Sequence, residues 1–302
     1  MTATDLSSSA TLHLILFDVN QLTTNKEFHM VEKQRTRVHL IAGGYPPGQH
    51  AGHDMDYARL RILQMLGEDD SIHTTVGGDY TDIDKWLQPD VSLLITYVAG
   101  PFAGEQEDEI LKDWIDRGGK WLSLHGSSGG QARKQESGNR KMIKHNHHRT
   151  MGGFFINHPP IKKFTVDVAD TNHVLTQKLP ASFDVVDEPY MIELQQPEET
   201  NIVLTAALGP DDSPPGFGFE YESDTALQPD GVTRVITYEK KLGDGAVTYI
   251  SLGHCHTPLT NQPGYYHPNV AESGVDTSSL RETWKTDAFP QLLQNGIEWG
   301  RD

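Results

Sequence analysis

Gly118-Gly119-Lys120-Trp121-Leu122-Ser123-Leu124-His125-Gly126-Ser127-Ser128-Gly129-Gly130 is the stretch whose reading decides the fold. Lys120–Leu124 is short, apolar and bracketed by glycines, which reads as a buried strand. It runs into a turn of Gly and Ser. That is the pattern of an elbow, in which a sharp strand-to-helix turn lifts one side chain above the edge of a parallel sheet. Small residues around the apex let the backbone take unusual dihedrals and leave room beside it. The lifted residue is His125. An imidazole is a poor acyl acceptor there but a good metal ligand or general acid/base. The plainer alternative is that His125 ends a core strand and bonds a nearby carbonyl, and this stretch by itself does not choose.

Working outward, Glu105–Arg117 places Ile110, Leu111, Trp114 and Ile115 on one side of a helix that Gly118-Gly119 ends. Val91–Val98 is a near-continuous apolar run, as expected of a strand buried on both faces. Arg37–Gly43 and Ser71–Val76 read as two more strands. Between them Leu60, Leu63 and Leu66, widened by Ile62 and Met65, have helical spacing, with Asp54 or Asp56 as cap. Strand and helix alternating in this rhythm imply right-handed crossovers and a parallel sheet. His53 and Asp54 then fall at a helix N-terminus just past a strand end, either as cap residues or as site residues that also cap.

Downstream, Gln131–Thr150 is polar and basic, and its histidines His145, His147 and His148 read as part of a solvated loop rather than a metal site. Met151–Pro160 mixes glycine hinges, aromatics and His158, the composition of a pocket wall or lid. Ile161–Val168 and Asn201–Leu208 read as strands, and the stretch from Phe183 leads through the acidic pair Asp187-Glu188 into another. Pro210–Pro229 reads as a surface loop. Thr233–Tyr238 and Ala246–Leu252 form a hairpin whose second strand ends on Gly253-His254-Cys255-His256. Phe289–Trp299 is a closing helix. Residues 1–36 read as an N-terminal extension and 37–302 as one α/β domain.

The 302 residues are 36% hydrophobic and 22% charged, as in globular proteins. A formal charge of −17 argues against nucleic-acid and anionic-membrane partners and favours a neutral substrate over a phosphorylated one. The sole cysteine, Cys255, excludes an internal disulfide and suits a reducing compartment. Leu12–Val19 is short and broken by Asp18, neither signal peptide nor membrane span. Cytoplasmic residence is the expectation.

Taken in order, Gly52-His53-Asp54-Met55-Asp56-Tyr57, Leu124-His125-Gly126, Gly152-Gly153-Phe154 with His158-Pro159, Asp187-Glu188-Pro189-Tyr190, Ser251-Leu252-Gly253-His254 and the stretch Leu292–Trp299 resemble the ThuA-like (trehalose-utilisation) family. The resemblance runs from about Arg37 to Trp299. That family is similar in fold to the class I glutamine amidotransferases, which implies a flavodoxin-like three-layer α/β sandwich with a mainly parallel sheet. Amidotransferases carry Cys at the elbow and His-x-Glu after a late strand. Here His125 stands at the Cys position, His254 at the His and His256 at the Glu. Glutaminase chemistry needs a thiolate, so it is not expected. Cys255 does not replace the thiol, because on an extended segment it points away from His254 and His256.

With that fold, His125, His254 and His256 would converge at one rim of the sheet as ligands of a divalent cation, zinc being the expected one. Glu188 is the expected proton-transfer group, with His53 or Asp54 orienting. Metal-free acid/base pairs and purely structural histidines stay open as alternatives. Tyr57, Tyr97, Phe154, His158 and Tyr190 are the expected substrate contacts, although each aromatic also suits a core. The resemblance implies carbohydrate catabolism: a hydrolase or lyase acting on a glycoside or keto-sugar, with a small neutral carbohydrate as partner. A non-catalytic sugar-binding or regulatory module is the alternative. A protease or amidase would need Ser127 or Ser128, which lie beyond the apex. Homo-oligomerisation is left open.

Overall fold

The computed structural model describes residues 35–43, 52–257 and 280–301. The expected extension through residue 34 and the loops at 45–51 and 261–279 lie outside them. Strands β1 (Thr36–Gly43), β2 (Ile72–Gly77), β3 (Val91–Val98), β4 (Lys120–Leu124), β5 (Lys162–Val168), β6 (Ser182–Asp187), β7 (Thr200–Ala207), β8 (Thr233–Leu242) and β9 (Gly245–Ile250) form one sheet. Its nine strands run in the order β2-β1-β3-β4-β9-β8-β7-β5-β6. From β2 to β9 every neighbour is parallel. From β9 onward every neighbour is antiparallel. The sheet is therefore mixed. The tight turn at Gly243-Asp244 joins β8 to β9, and so short a connection permits only antiparallel pairing.

Helices α1 (Met55–Leu66), α2 (Glu105–Asp116) and α3 (Ala288–Trp299) have 12 residues each. Strand alternation sorts the core into two faces. Leu40, Leu93 and Leu122 pack with Ile62 of α1 and Leu292 of α3. Ile41, Leu94 and Trp121 pack with Leu111 and Trp114 of α2. Each such residue contributes roughly 1.5–3 kcal/mol by leaving water, and covering both faces explains the apolar runs in the sequence. The buried stripe of α1 is Met55, Ala58, Ile62 and Leu66, while Leu60 is 54% exposed. The expected Leu60-Leu63-Leu66 face is thus out of phase; the small Ala58 turns inward and lets the helix lie close to the sheet.

Two further corrections concern the chain after the elbow. Gln131–Lys134 and Arg140–Ile143 form an antiparallel hairpin, and His147–Met151 is a helical turn. His147 and His148 are buried, not solvated: the His147 ring stacks with Phe102 and the His148 ring packs edge-on against Phe154. Gly153–Asn157 is a buried strand paired with Met191–Leu194. Among the described residues no helix is long and apolar enough to cross a membrane.

The register places the carboxyl ends of the central strands level: Gly43 opposite Val98, Tyr97 opposite Leu124, and Leu124 opposite Ile250. His125 directly follows β4, His254 lies shortly past β9, and His53 precedes α1. The topology therefore delivers these side chains to one rim.

Candidate functional site

The elbow is visible in the backbone. Leu124 is extended, and His125 follows with φ +45°, a left-handed conformation that costs a non-glycine residue roughly 1–2 kcal/mol. Surrounding bonds hold it there. Tyr249 Oη donates to the His125 carbonyl at 2.8 Å, and Ser127 Oγ ties the turn to the Thr96 carbonyl at 3.2 Å. Gly126 is required by close approach, since a Cβ there would lie 2.7 Å from the Val98 carbonyl oxygen. The His125 ring is stacked between Tyr190, at 4.3 Å between centroids, and Tyr97, at 6.0 Å.

The two ring nitrogens of His125 face different partners. Nδ1 lies 2.8 Å from the Ser251 carbonyl oxygen, the carbonyl bond of the plainer sequence reading. A carbonyl only accepts, so Nδ1 carries a proton, and in the neutral ring Nε2 presents a lone pair. That Nε2 lies 3.2 Å from His254 Nδ1 and 3.5 Å from Glu188 Oε2, and His254 Nδ1 lies 3.1 Å from the same oxygen. His53 completes the group, its ring 5.1 Å from His125 and 4.9 Å from His254. All four residues are buried, and one ligand atom from each lies within 4.8 Å of the others. Ligands around a tetrahedral ion at the usual roughly 2.1 Å sit about 3.4 Å apart, so three imidazoles and a carboxylate at these spacings could hold a metal ion.

His256 takes a different place from the one expected of a third ligand. Its Nδ1 lies 2.7 Å from His254 Nε2, on the side of the His254 ring away from His125. Asp187 lies behind the group. It accepts from the backbone amides of Gly253 at 2.8 Å, His254 at 3.1 Å and Glu188 at 2.8 Å. One carboxylate thereby fixes two of the four segments that carry ligand atoms.

Burial sets the protonation of this group. It pushes His254 down to about 4, against the pull of Glu188, so the ring is neutral at neutral pH. Burial works against ionisation of Glu188, but His158, His254 and His125 outweigh it and hold the carboxyl well below its usual range. Burial also raises Asp187 to about 6, opposed by His125 and by the amides it accepts from. Cys255 is fully buried on the other side of its segment, against Tyr97 and the Asp54 carbonyl, where burial pushes its thiol up to about 12. It is no nucleophile.

The other expected site residues divide. Asp54 is a cap: it accepts from the Tyr57 amide at 3.2 Å and pairs with Arg281 at 2.6 Å. Tyr57 packs on Trp284 beneath the Arg281 guanidinium, Tyr97 bonds the Gly253 carbonyl at 2.9 Å, and Phe154 packs on His148. Those three aromatics do not line the cavity above the group, whereas His158 and Tyr190 do. The cavity has a volume of about 1420 Å³, ample for a small ligand. Its wall also includes Phe155, from the Met151–Pro160 stretch read as a pocket wall, and Phe102, Phe217 and Phe219, which the sequence reading did not single out. Phe217-Gly218-Phe219, aromatic residues inside a Pro- and Gly-rich loop, is the signal that could have found the last two.

Comparisons with known proteins agree with this architecture. The ThuA family model, described as trehalose utilisation, matches residues 45–267, and the chain belongs to that family. A ThuA-like protein from Bacteroides uniformis is similar in structure, with a TM-score of 0.56 and 15% identity, covering 88% of this chain and 91% of that one. A ThuA-like protein from Parabacteroides merdae gives a TM-score of 0.53 at 15% identity, covering 88% and 90%. At that identity the likeness concerns the fold alone. No curated protein matches the sequence.

Proposed function

We propose that the chain is a metal-dependent enzyme of sugar metabolism acting on a glycoside or keto-sugar, with His53, His125, Glu188 and His254 holding a divalent ion such as zinc. The observation that carries this reading is the convergence of four buried ligand atoms within 4.8 Å at the carboxyl ends of parallel strands. When bound, such an ion supplies Lewis-acid polarisation of a substrate oxygen. Family membership supports a carbohydrate as substrate. The strand order β2-β1-β3-β4-β9 in the parallel half supports a flavodoxin-like fold.

The chain's own residues have separable tasks. Ser251 fixes the tautomer of His125, and His256 does the same for His254 by engaging its Nε2. His158 is set in the same way: Nδ1 donates to the Pro159 carbonyl at 2.8 Å, which turns Nε2 toward Glu188 Oε1 at 3.7 Å. As an imidazolium, His158 would carry a second proton on Nε2 beside Glu188 and could pass it to a substrate oxygen in the cavity. Tyr190 and the phenylalanine wall offer flat faces to a sugar ring.

The test is turnover of a panel of glycosides and keto-glycosides by the purified chain, with and without chelator. Turnover should stop with chelator, return with zinc, and be absent in His125→Ala. Turnover indifferent to chelator contradicts the metal reading. Sugar binding without turnover in the zinc-loaded protein would favour the non-catalytic module.

A further inference from the structure

One wall of the cavity is the hairpin Gln131–Ile143, and its charges are arranged unlike those of the rest of the chain. The antiparallel register sets Lys134 directly opposite Arg140 and Ala132 opposite Met142. Cross-strand partners and residues two apart share a face, and these four residues all line the cavity. Like charges directly opposite one another destabilise a hairpin. Among the described residues neither cation has a carboxylate partner; Arg140 instead lies over the Phe219 ring at 4.7 Å. By contrast, Lys141 on the other face pairs with Glu222 at 2.9 Å, and at the turn Ser137 and the cavity-lining Asn139 donate to Glu220.

The lining contrasts with the chain's formal charge of −17. Among the described residues that line the cavity, Glu188 is the sole carboxylate, and it faces His125, His158 and His254. The cavity is thus locally positive in an acidic protein, and its low-dielectric walls focus that field. We infer that the cavity binds an anionic carbohydrate, with Lys134 and Arg140 receiving its oxyanion, either the carboxylate of a sugar acid or a phosphate ester. This rests on the carbohydrate reading above and replaces the neutral substrate that net charge suggested. The local arrangement decides, because charges beyond about 8–10 Å are screened.

The experiment is calorimetric titration of the full chain with trehalose, a glucuronide, glucose 6-phosphate and inorganic phosphate, repeated with Lys134→Gln/Arg140→Gln. The anionic sugars should bind about tenfold tighter than trehalose, more weakly in high salt, and the double variant should lose that preference. The tighter of the two anionic sugars identifies carboxylate or phosphate as the group received. The ligand-free double variant should have a nearly unchanged thermal midpoint, since relief of the repulsive pair offsets the lost Arg140–Phe219 contact; this separates lost binding from lost folding. Equal binding of charged and neutral sugars overturns the inference and leaves the carbohydrate reading intact. Phosphate binding that depends on Lys134 and Arg140, with no sugar bound, upholds the anion site and overturns the carbohydrate reading.

Discussion

His53, His125 and His254 gather at the apex of the elbow, while His145, His147 and His148 grip the turn just beyond it. Both groups are rich in imidazole and both contain buried rings. They differ in where the nitrogens point. His125 commits Nδ1 to a carbonyl and turns Nε2 toward Glu188 and His254. His148 commits both: Nδ1 accepts from the His145 amide at 2.9 Å, and Nε2 donates to the Gly129 carbonyl at 2.8 Å. His148 thereby braces the turn that follows His125. Histidine count does not make a metal site; converging lone pairs do.

The largest effect that sharpens this contrast is metal-linked stability. Zinc at about a thousandfold over its dissociation constant should stabilise the stripped protein by about 4 kcal/mol. His148→Ala should retain that gain and His254→Ala should lose it, as read by urea unfolding with and without zinc. The next effect is acid lability. Burial lowers His148 to about 4 from an ordinary 6.5, so the folded state favours the neutral ring. The associated stability, up to about 3 kcal/mol, is fully present above the unfolded value and is lost as pH falls through the folded one. His148→Gln should flatten the fall in stability across that window, as read by unfolding midpoints against pH.

Smaller effects test the supports of the apex. Asp187→Asn should weaken metal binding roughly 10–100-fold while His125 and His254 remain, because the amides it positions carry the ligand segments. His125→Gly should be about 1 kcal/mol more stable than His125→Ala, since glycine accepts a positive φ without penalty. Equal stability of the two would argue that the elbow is not strained.

The elbow is legible in sequence because its signal is local: an apolar strand running into Gly and Ser. Convergence of His125 with His254 is legible only through topology supplied by the family resemblance, since 129 positions separate them. The place of His53 and Glu188 beside them, with His256 behind, depends on which nitrogen each ring presents, and sequence carries no record of that. The hairpin at Gln131–Ile143 is hidden because its strands are built largely from Lys and Arg rather than β-branched residues. The stripe of α1 is easily misphased because Ala58 carries little hydrophobic weight although it is fully buried.

The most direct test is the metal content of protein purified without chelator, measured for the unaltered chain and for His53→Ala, His125→Ala, Glu188→Gln, His254→Ala and His256→Ala. About one divalent ion per chain is predicted, retained in His256→Ala and lost or sharply reduced in the other variants. No ion in the unaltered chain, or an ion that persists without His125 and His254, would contradict the shared metal site.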